Sequence, residues 1–173
     1  MSIKEPWKET NKINIIMEEI AKYKGAGFSG FVKVSDLRAS SGIIPQSAGI
    51  YVVLRVSDNK PQFLGIGTGG HFKGKDPNVS IAELENNIVN GSSTMYIGKA
   101  TSLRKRLGQL LRFGVGANVG HWGGRYLWQL ADADDLVIAW KETPMIDPRM
   151  VEASMLQDYV THYGRLPFAN LTI

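Results

Sequence analysis

Residues 94–114, TMYIGKATSLRKRLGQLLRFG, decide the fold. The opening TMYIGK (94–99) carries the apolar and aromatic residues of a short strand. Thr101 or Ser102 then offers a side-chain oxygen suited to capping a helix. Leu103, Leu107, Leu110 and Leu111 recur at helical spacing as one apolar stripe, and Gly114 stands where the helix should end. A strand that turns within a few residues into an amphipathic helix calls for both element types around one core.

Downstream, GVGANVGHWGG reads as a loop and RYLWQLAD as a short helix. DLVIAWKE (135–142) is a further strand. Asp147 is placed to cap a helix that opens with Pro148 and runs to about Tyr163. The tail GRLPFANLTI reads as extended. Upstream, GIYVVLRV (49–56) is rich in β-branched and aromatic residues and reads as a strand. Residues 57–93 are polar and glycine-rich. IAELENNI within them suits one short helix, and GIGTGG lacks the strand and helix that a dinucleotide fingerprint needs, so it reads as a flexible loop. NKINIIMEEIAKY (11–23) is an amphipathic helix, with Ile13, Ile16, Met17 and Ile20 at helical spacing and Gly25 and Gly27 ending it. GFVKVSDL is a short apolar stretch and ASSGIIPQSAG is turn-rich. The expected architecture is α+β: a small three-stranded, mainly antiparallel sheet (49–56, 94–99, 135–142) flanked by helices. An N-terminal extension, 1–47, would pack on a core of 48–173 that holds the insertion 57–93.

The chain has 173 residues, 43% of them apolar and 21% charged, which suits one globular domain with a full core. It contains no cysteine, which excludes disulfides and thiolate metal sites. MSIKEPWKET does not read as a signal peptide, and no apolar run approaches membrane length. A cytoplasmic protein without membrane contact is expected. The formal net charge is +4. Its distribution says more than its size. Residues 86–131 hold no Asp or Glu but include Lys99, Arg104, Lys105, Arg106, Arg112 and Arg125. That one-signed stretch makes either a solvated basic face or a field that attracts polyphosphate.

Glu152 draws notice for a different reason. Projected at about 100° per residue, it falls among Val151, Met155, Leu156, Tyr159, Val160 and Tyr163, whereas Ser154, Gln157, Asp158 and Thr161 fall opposite. A carboxylate among apolar neighbours needs a cation, whether a metal ion or a basic side chain; the alternative is an exposed Glu152 on a face that the projection misassigns.

Gly49-Ile50-Tyr51 at the start of one strand and Tyr96-Ile97-Gly98 in the next, followed by KATSLRKRL, resemble the GIY-YIG nuclease superfamily. The run YIGKATSLRKRL is most similar to the incision subunit of bacterial nucleotide-excision repair. The resemblance spans roughly residues 48–173. It implies a metal-dependent DNA endonuclease with a catalytic set of Tyr51, Tyr96, Lys99, Arg106, Glu152 and Asn170. Glu152 would hold one Mg²⁺ or Mn²⁺, and Gly98 would let the chain pass close to the active site. In such a site the metal polarises the phosphate, Arg106 neutralises the nonbridging oxygens, and a tyrosine takes the proton from water. Tyr51 is the favoured base and Tyr96 the water positioner. Arg104 and Arg106 lie on opposite shoulders of the leucine stripe, and only the family spacing selects Arg106. Arg104, Lys105, Arg112 and Arg125 would then contact phosphates.

Two features depart from the family pattern. Tyr51 and Tyr96 are separated by residues 52–95, far beyond an ordinary hairpin loop of about two to five residues. Family members often carry a His or Tyr four residues after the arginine, where this chain has Leu110. His121, in GHWGGRYLWQL, could supply a proton, contact phosphate, or simply pack. His71 and His162 have no motif support. Read without the resemblance, Tyr51 and Tyr96 are ordinary strand aromatics and Asn170 caps a turn. The competing functions are a catalytically silent nucleic-acid scaffold of the same fold and a small-molecule or protein-binding module. The DNA partner's form, duplex or branched, is open, as is a role in restriction, repair or a mobile element. A homodimer would be needed to cut both strands.

Overall fold

The computed structural model describes residues 6–172. Residues 1–5, part of the proposed N-terminal extension, lie outside the described residues. Helix α1 (Pro6–Gly25) leads to strand β1 (Ser29–Lys33) and helix α2 (Val34–Ala39). Strand β2 (Gly49–Leu54), helix α3 (Ile81–Asn87), strand β3 (Thr94–Ala100) and helix α4 (Leu103–Phe113) follow. A 3₁₀ segment, Trp122–Gln129, precedes strand β4 (Val137–Glu142) and helix α5 (Pro148–Tyr163).

The fold is α+β, as expected, but the sheet has four strands in the order β1-β4-β2-β3, all antiparallel. The fourth strand comes from the segment read as extension. SGFVK (29–33) pairs with β4 through a bulge between Gly30 and Val32. Its disguise is physical: Gly30 and Phe31 both take positive φ (92° and 58°), which breaks the alternation that marks a strand.

Strand β2 is central, and all six of its residues are buried. Its side chains feed two cores, which explains an apolar run without polar alternation. On one face Tyr51 and Val53 join Tyr96, Ile138, the leucines of α4, and Leu127 and Trp128 of the 3₁₀ segment. On the other, Ile50, Val52 and Leu54 meet Ile97, Phe28, Leu156 and Tyr159. Helix α1 packs through Ile20 and Tyr23 and is tied to the start of β3 by one carboxylate. Glu19 accepts hydrogen bonds from the Ser93 amide (2.6 Å) and hydroxyl (2.5 Å) and from Thr94. Of its predicted apolar stripe, Ile16 and Ile20 are partly buried, but Ile13 and Met17 are exposed.

Residues 57–93 are not a loose loop. Buried Gln129 staples them: its amide donates to the Leu64 and Val79 carbonyls (3.1 and 2.9 Å) and its oxygen accepts from the Val79 amide (2.9 Å). The glycines read as flexibility serve close approach. A Cβ on Gly67 would lie 2.3 Å from the Trp128 carbonyl oxygen, and one on Gly70 would lie 2.1 Å from that of Ala117. No helix among the described residues is long and apolar enough to cross a membrane.

Candidate functional site

Antiparallel pairing of β2 with β3 places Tyr51 directly opposite Gly98. With no side chain at 98, the Tyr51 ring lies flat across β3. A Cβ there would sit 2.3 Å from Cζ and 2.5 Å from Oη of Tyr51. Tyr96 emerges on the same face, its ring centre 6.0 Å from that of Tyr51. The 3₁₀ segment delivers His121 beneath both phenols. Its Nε2 is 2.7 Å from Tyr51 Oη and its ring lies 5.7 Å from Tyr96. His121 is completely buried, so of the readings open to it packing holds and direct phosphate contact does not. Leu110, at the position four after Arg106, is core. The imidazole arrives from a different part of the chain.

Helix α4 starts where Ser102 accepts a hydrogen bond from the Lys105 amide, which selects Ser102 over Thr101 as the cap. Its first turn aims Arg106 toward the phenols. The guanidinium is braced by the Gly120 carbonyl (2.6 Å) and by Gln109 Oε1 (3.0 Å). On α5, Asp147 accepts from the Arg149 amide (2.9 Å) and Pro148 occupies the first turn, as the sequence predicts. Glu152 follows one turn later. Its carboxylate faces a cavity rather than the packed core, and its cation is Lys99 of β3, with Nζ 3.0 Å from Oε1. The Glu152 side chain is 16% exposed and that of Lys99 45%.

Asn170 has a different function from turn capping. Its Oδ1 accepts from the Ile97 amide and its Nδ2 donates to the Ile97 carbonyl, both at 2.9 Å. This fixes the backbone between Tyr96 and Gly98, so Asn170 is a positioning residue.

Tyr51, Tyr96, Lys99, Arg106, Glu152 and Asn170 all line one cavity of about 1130 Å³. Five cations (Lys99, Lys105, Arg106, Arg125, Arg149) and two carboxylates (Asp147, Glu152) surround it. The N-terminal turns of α4 and α5 open onto it and add positive potential. Arg125 stacks on Trp122 at its rim, 4.6 Å from the ring centre. The chain's other predicted phosphate contacts do not all belong here. Arg112 is exposed, does not line the cavity, and bonds the Gly108 carbonyl of its own helix. Arg104 pins the segment before β2 through the Ile44 and Gly42 carbonyls (2.8 and 2.9 Å). Sequence reasoning missed Gln109 and Arg149. Gln109 is three residues after Arg106 and so one turn along the same face, a signal that was available. Arg149 had none.

These placements separate two neighbouring basic residues. Arg104→Ala should lower stability by roughly 1–3 kcal/mol, a few degrees in thermal midpoint, and leave unchanged the salt dependence of the nucleic-acid binding that the family resemblance implies. Lys105→Ala should do the reverse, reducing the slope of log affinity against log salt by about one. Thermal melts and salt titrations of the two variants check this. A slope change in Arg104→Ala with an unaltered melt would refute the assignment.

Burial pushes the Tyr51 phenol well above its ordinary range, and neighbouring Tyr96 pushes it further; Arg106 opposes both. Burial also raises Tyr96, again with Arg106 opposing. His121 is pulled down to about 3 by burial and then by Arg106, so it is neutral at physiological pH. Its Nδ1 is buried without a partner. Its Nε2 and Tyr51 Oη share one hydrogen bond, donated by whichever of the two carries the proton.

Among the described residues no group of three or more His, Asp or Glu side chains gathers to cage a metal. One carboxylate facing an open, basic cavity still suits Mg²⁺, which keeps several waters and takes further oxygens from a phosphate. Comparison with family models, curated proteins and solved structures finds no match to this chain.

Proposed function

We propose that this chain is a divalent-metal-dependent endonuclease that hydrolyses DNA phosphodiester bonds, as the GIY-YIG resemblance implies. The observation that carries the reading is convergence. Two phenols, a guanidinium, a lysine and a carboxylate from β2, β3, α4 and α5 line one basic cavity. The phenols also belong to the core and Lys99 pairs with Glu152, but packing alone gives Arg106 and Glu152 no reason to face the same open space as the phenols.

Glu152 would hold the metal, which when bound polarises the phosphate and stabilises the leaving 3′ oxygen. Arg106, braced at Gly120 and Gln109, is preorganised to neutralise charge on the nonbridging oxygens. Tyr51 is the base. Its oxygen is hydrogen-bonded to His121 and sits beside Arg106, whose charge favours the phenolate. The phenolate takes the proton of the attacking water as the new O–P bond forms and the P–O3′ bond breaks. Tyr96 is more open to the cavity and orients that water. Lys99 exchanges its partner Glu152 for the phosphate when DNA and metal arrive.

The silent-scaffold alternative draws on the same ion pair. A lysine that never leaves Glu152 would exclude the metal and leave a basic groove that only binds. Nicking of supercoiled plasmid in Mg²⁺ or Mn²⁺ decides between them. The wild type should open the circle, and Tyr51→Phe should slow this at least about a hundredfold with near-normal DNA affinity. Because the phenol titrates above its ordinary range, the rate should climb through neutral to alkaline pH. Neutral His121 should add no inflection near pH 6.5. A wild type that binds DNA but leaves it intact at every pH supports the scaffold.

A further inference from the structure

The connection 143–147 runs from β4 to α5 along the rim of the cavity. Both its feet are anchored. Thr143 is buried and its amide donates to the Ala48 carbonyl (3.0 Å). Asp147 is gripped by the Arg149 guanidinium as well as by its amide. Pro144 and Pro148 restrict the backbone on either side. Between these anchors the chain holds out Met145, 91% exposed, and Ile146, 57% exposed; Met150, one turn into α5, is 68% exposed. Asp147, Pro148 and Arg149 line the cavity itself, so the apolar tip stands on its lip.

Met145 and Ile146 on the tip, with Met150 exposed nearby on α5, bury little of their apolar surface, and such exposed apolar groups mark a contact surface. Its surroundings select the contact. The adjoining cavity carries five cations against two carboxylates, matching a polyanion. A stable interface between two copies of the chain would bury roughly 1,000 Å² or more, and three side chains on a projecting tip supply only a fraction of that. Apolar wedges of Met, Ile or Pro entering between base steps are an established way for proteins to kink DNA.

We propose that Met145 and Ile146 form a wedge that enters between adjacent bases of the bound DNA. It unstacks one step and bends the backbone so that the phosphate drops toward Arg106 and Glu152. This rests on the reading of the cavity as a DNA site. It also names the preferred substrate class: duplexes that bend or unstack easily, such as those with a bulge or mismatch.

The test compares nicking of an intact duplex with that of the same sequence carrying a two-base bulge. The enzymes are the wild type and the Met145→Ala/Ile146→Ala double variant. Both positions are exposed, so the thermal midpoint should not move. The variant should nick the intact duplex roughly tenfold or more slowly and recover to within about twofold of wild type on the bulge, which arrives already unstacked. A Met145→Leu variant should keep the wild-type preference. An equal loss on both substrates, or no loss on either, overturns the wedge. So does a wild-type dimer, seen by sedimentation, that the double variant converts to monomer. If the wild type neither binds nor nicks either duplex, the endonuclease reading itself fails. If it nicks both and the variant shows no bulge rescue, the wedge alone fails.

Discussion

Glu152→Ala should lose the proposed plasmid nicking by at least about a hundredfold, equivalent to about 2.7 kcal/mol of transition-state stabilisation or more. The size follows from the composition of the site. Among the described residues no group of three or more His or acidic side chains gathers to hold a metal, and Asp147, the cavity's other carboxylate, is engaged by Arg149. In a caged site, neighbouring ligands soften the loss of one; in the proposed site Glu152 would carry the protein's share. Binding should move the other way. Removing a negative charge from a cavity with five cations and two carboxylates leaves DNA affinity equal or higher. Glu152→Gln should behave alike, keeping shape and losing charge. The assay pairs nicking rates with salt-controlled affinity measurements, and a variant as active as the wild type would locate the activity in a contaminant. Loss of binding together with cleavage would assign Glu152 to the structure rather than the chemistry.

Gly98→Ala should be strongly destabilising. The added methyl would meet Tyr51 Cζ at 2.3 Å, Oη at 2.5 Å and Cε1 at 2.8 Å. Tyr51 has no retreat, since it is fully buried, packs beside Tyr96 and is bonded to His121. Overpacking of this severity costs about 3 kcal/mol or more, which lowers the thermal midpoint by on the order of 10 °C. The double variant Tyr51→Ala/Gly98→Ala relieves the clash. Its stability should therefore exceed the sum of the two single changes by more than roughly 1 kcal/mol. Thermal denaturation of the four proteins measures this. A Gly98→Ala protein as stable as the parent would mean that the ring does not lie where it is placed.

The part of the site that sequence disclosed is the part encoded locally. A strand, a cap and a leucine stripe are adjacent in YIGKATSLRKRL, and they appear as β3, Ser102 and the buried face of α4. Asp147 and Pro148 likewise announced α5. What escaped was set by partners distant in the chain. Arg104 and Arg106 are equivalent on the helix, and only the Ile44 and Gly42 carbonyls on one side and the Gly120 carbonyl on the other separate their roles. His121 sits in a glycine-rich run with no periodicity, and its burial depends on Tyr51, seventy positions earlier. Glycine misled in residues 57–93 because a residue that permits motion and one that permits contact look the same on paper. The helical projection correctly demanded a cation for Glu152, but it mistook the wall of an open cavity for the packed core.

The amide of Asn170 acts as a substitute peptide group. β3 is the outermost strand on its side of the sheet, and Ile97 is where its free donor and acceptor would recruit a stranger's backbone. One side chain satisfies both, in the tight pattern that a neighbouring strand would offer. Guarding against intermolecular pairing and aligning the two phenols are therefore the same act. Damage to the tail at that point would make the protein aggregation-prone and catalytically misaligned in a single stroke.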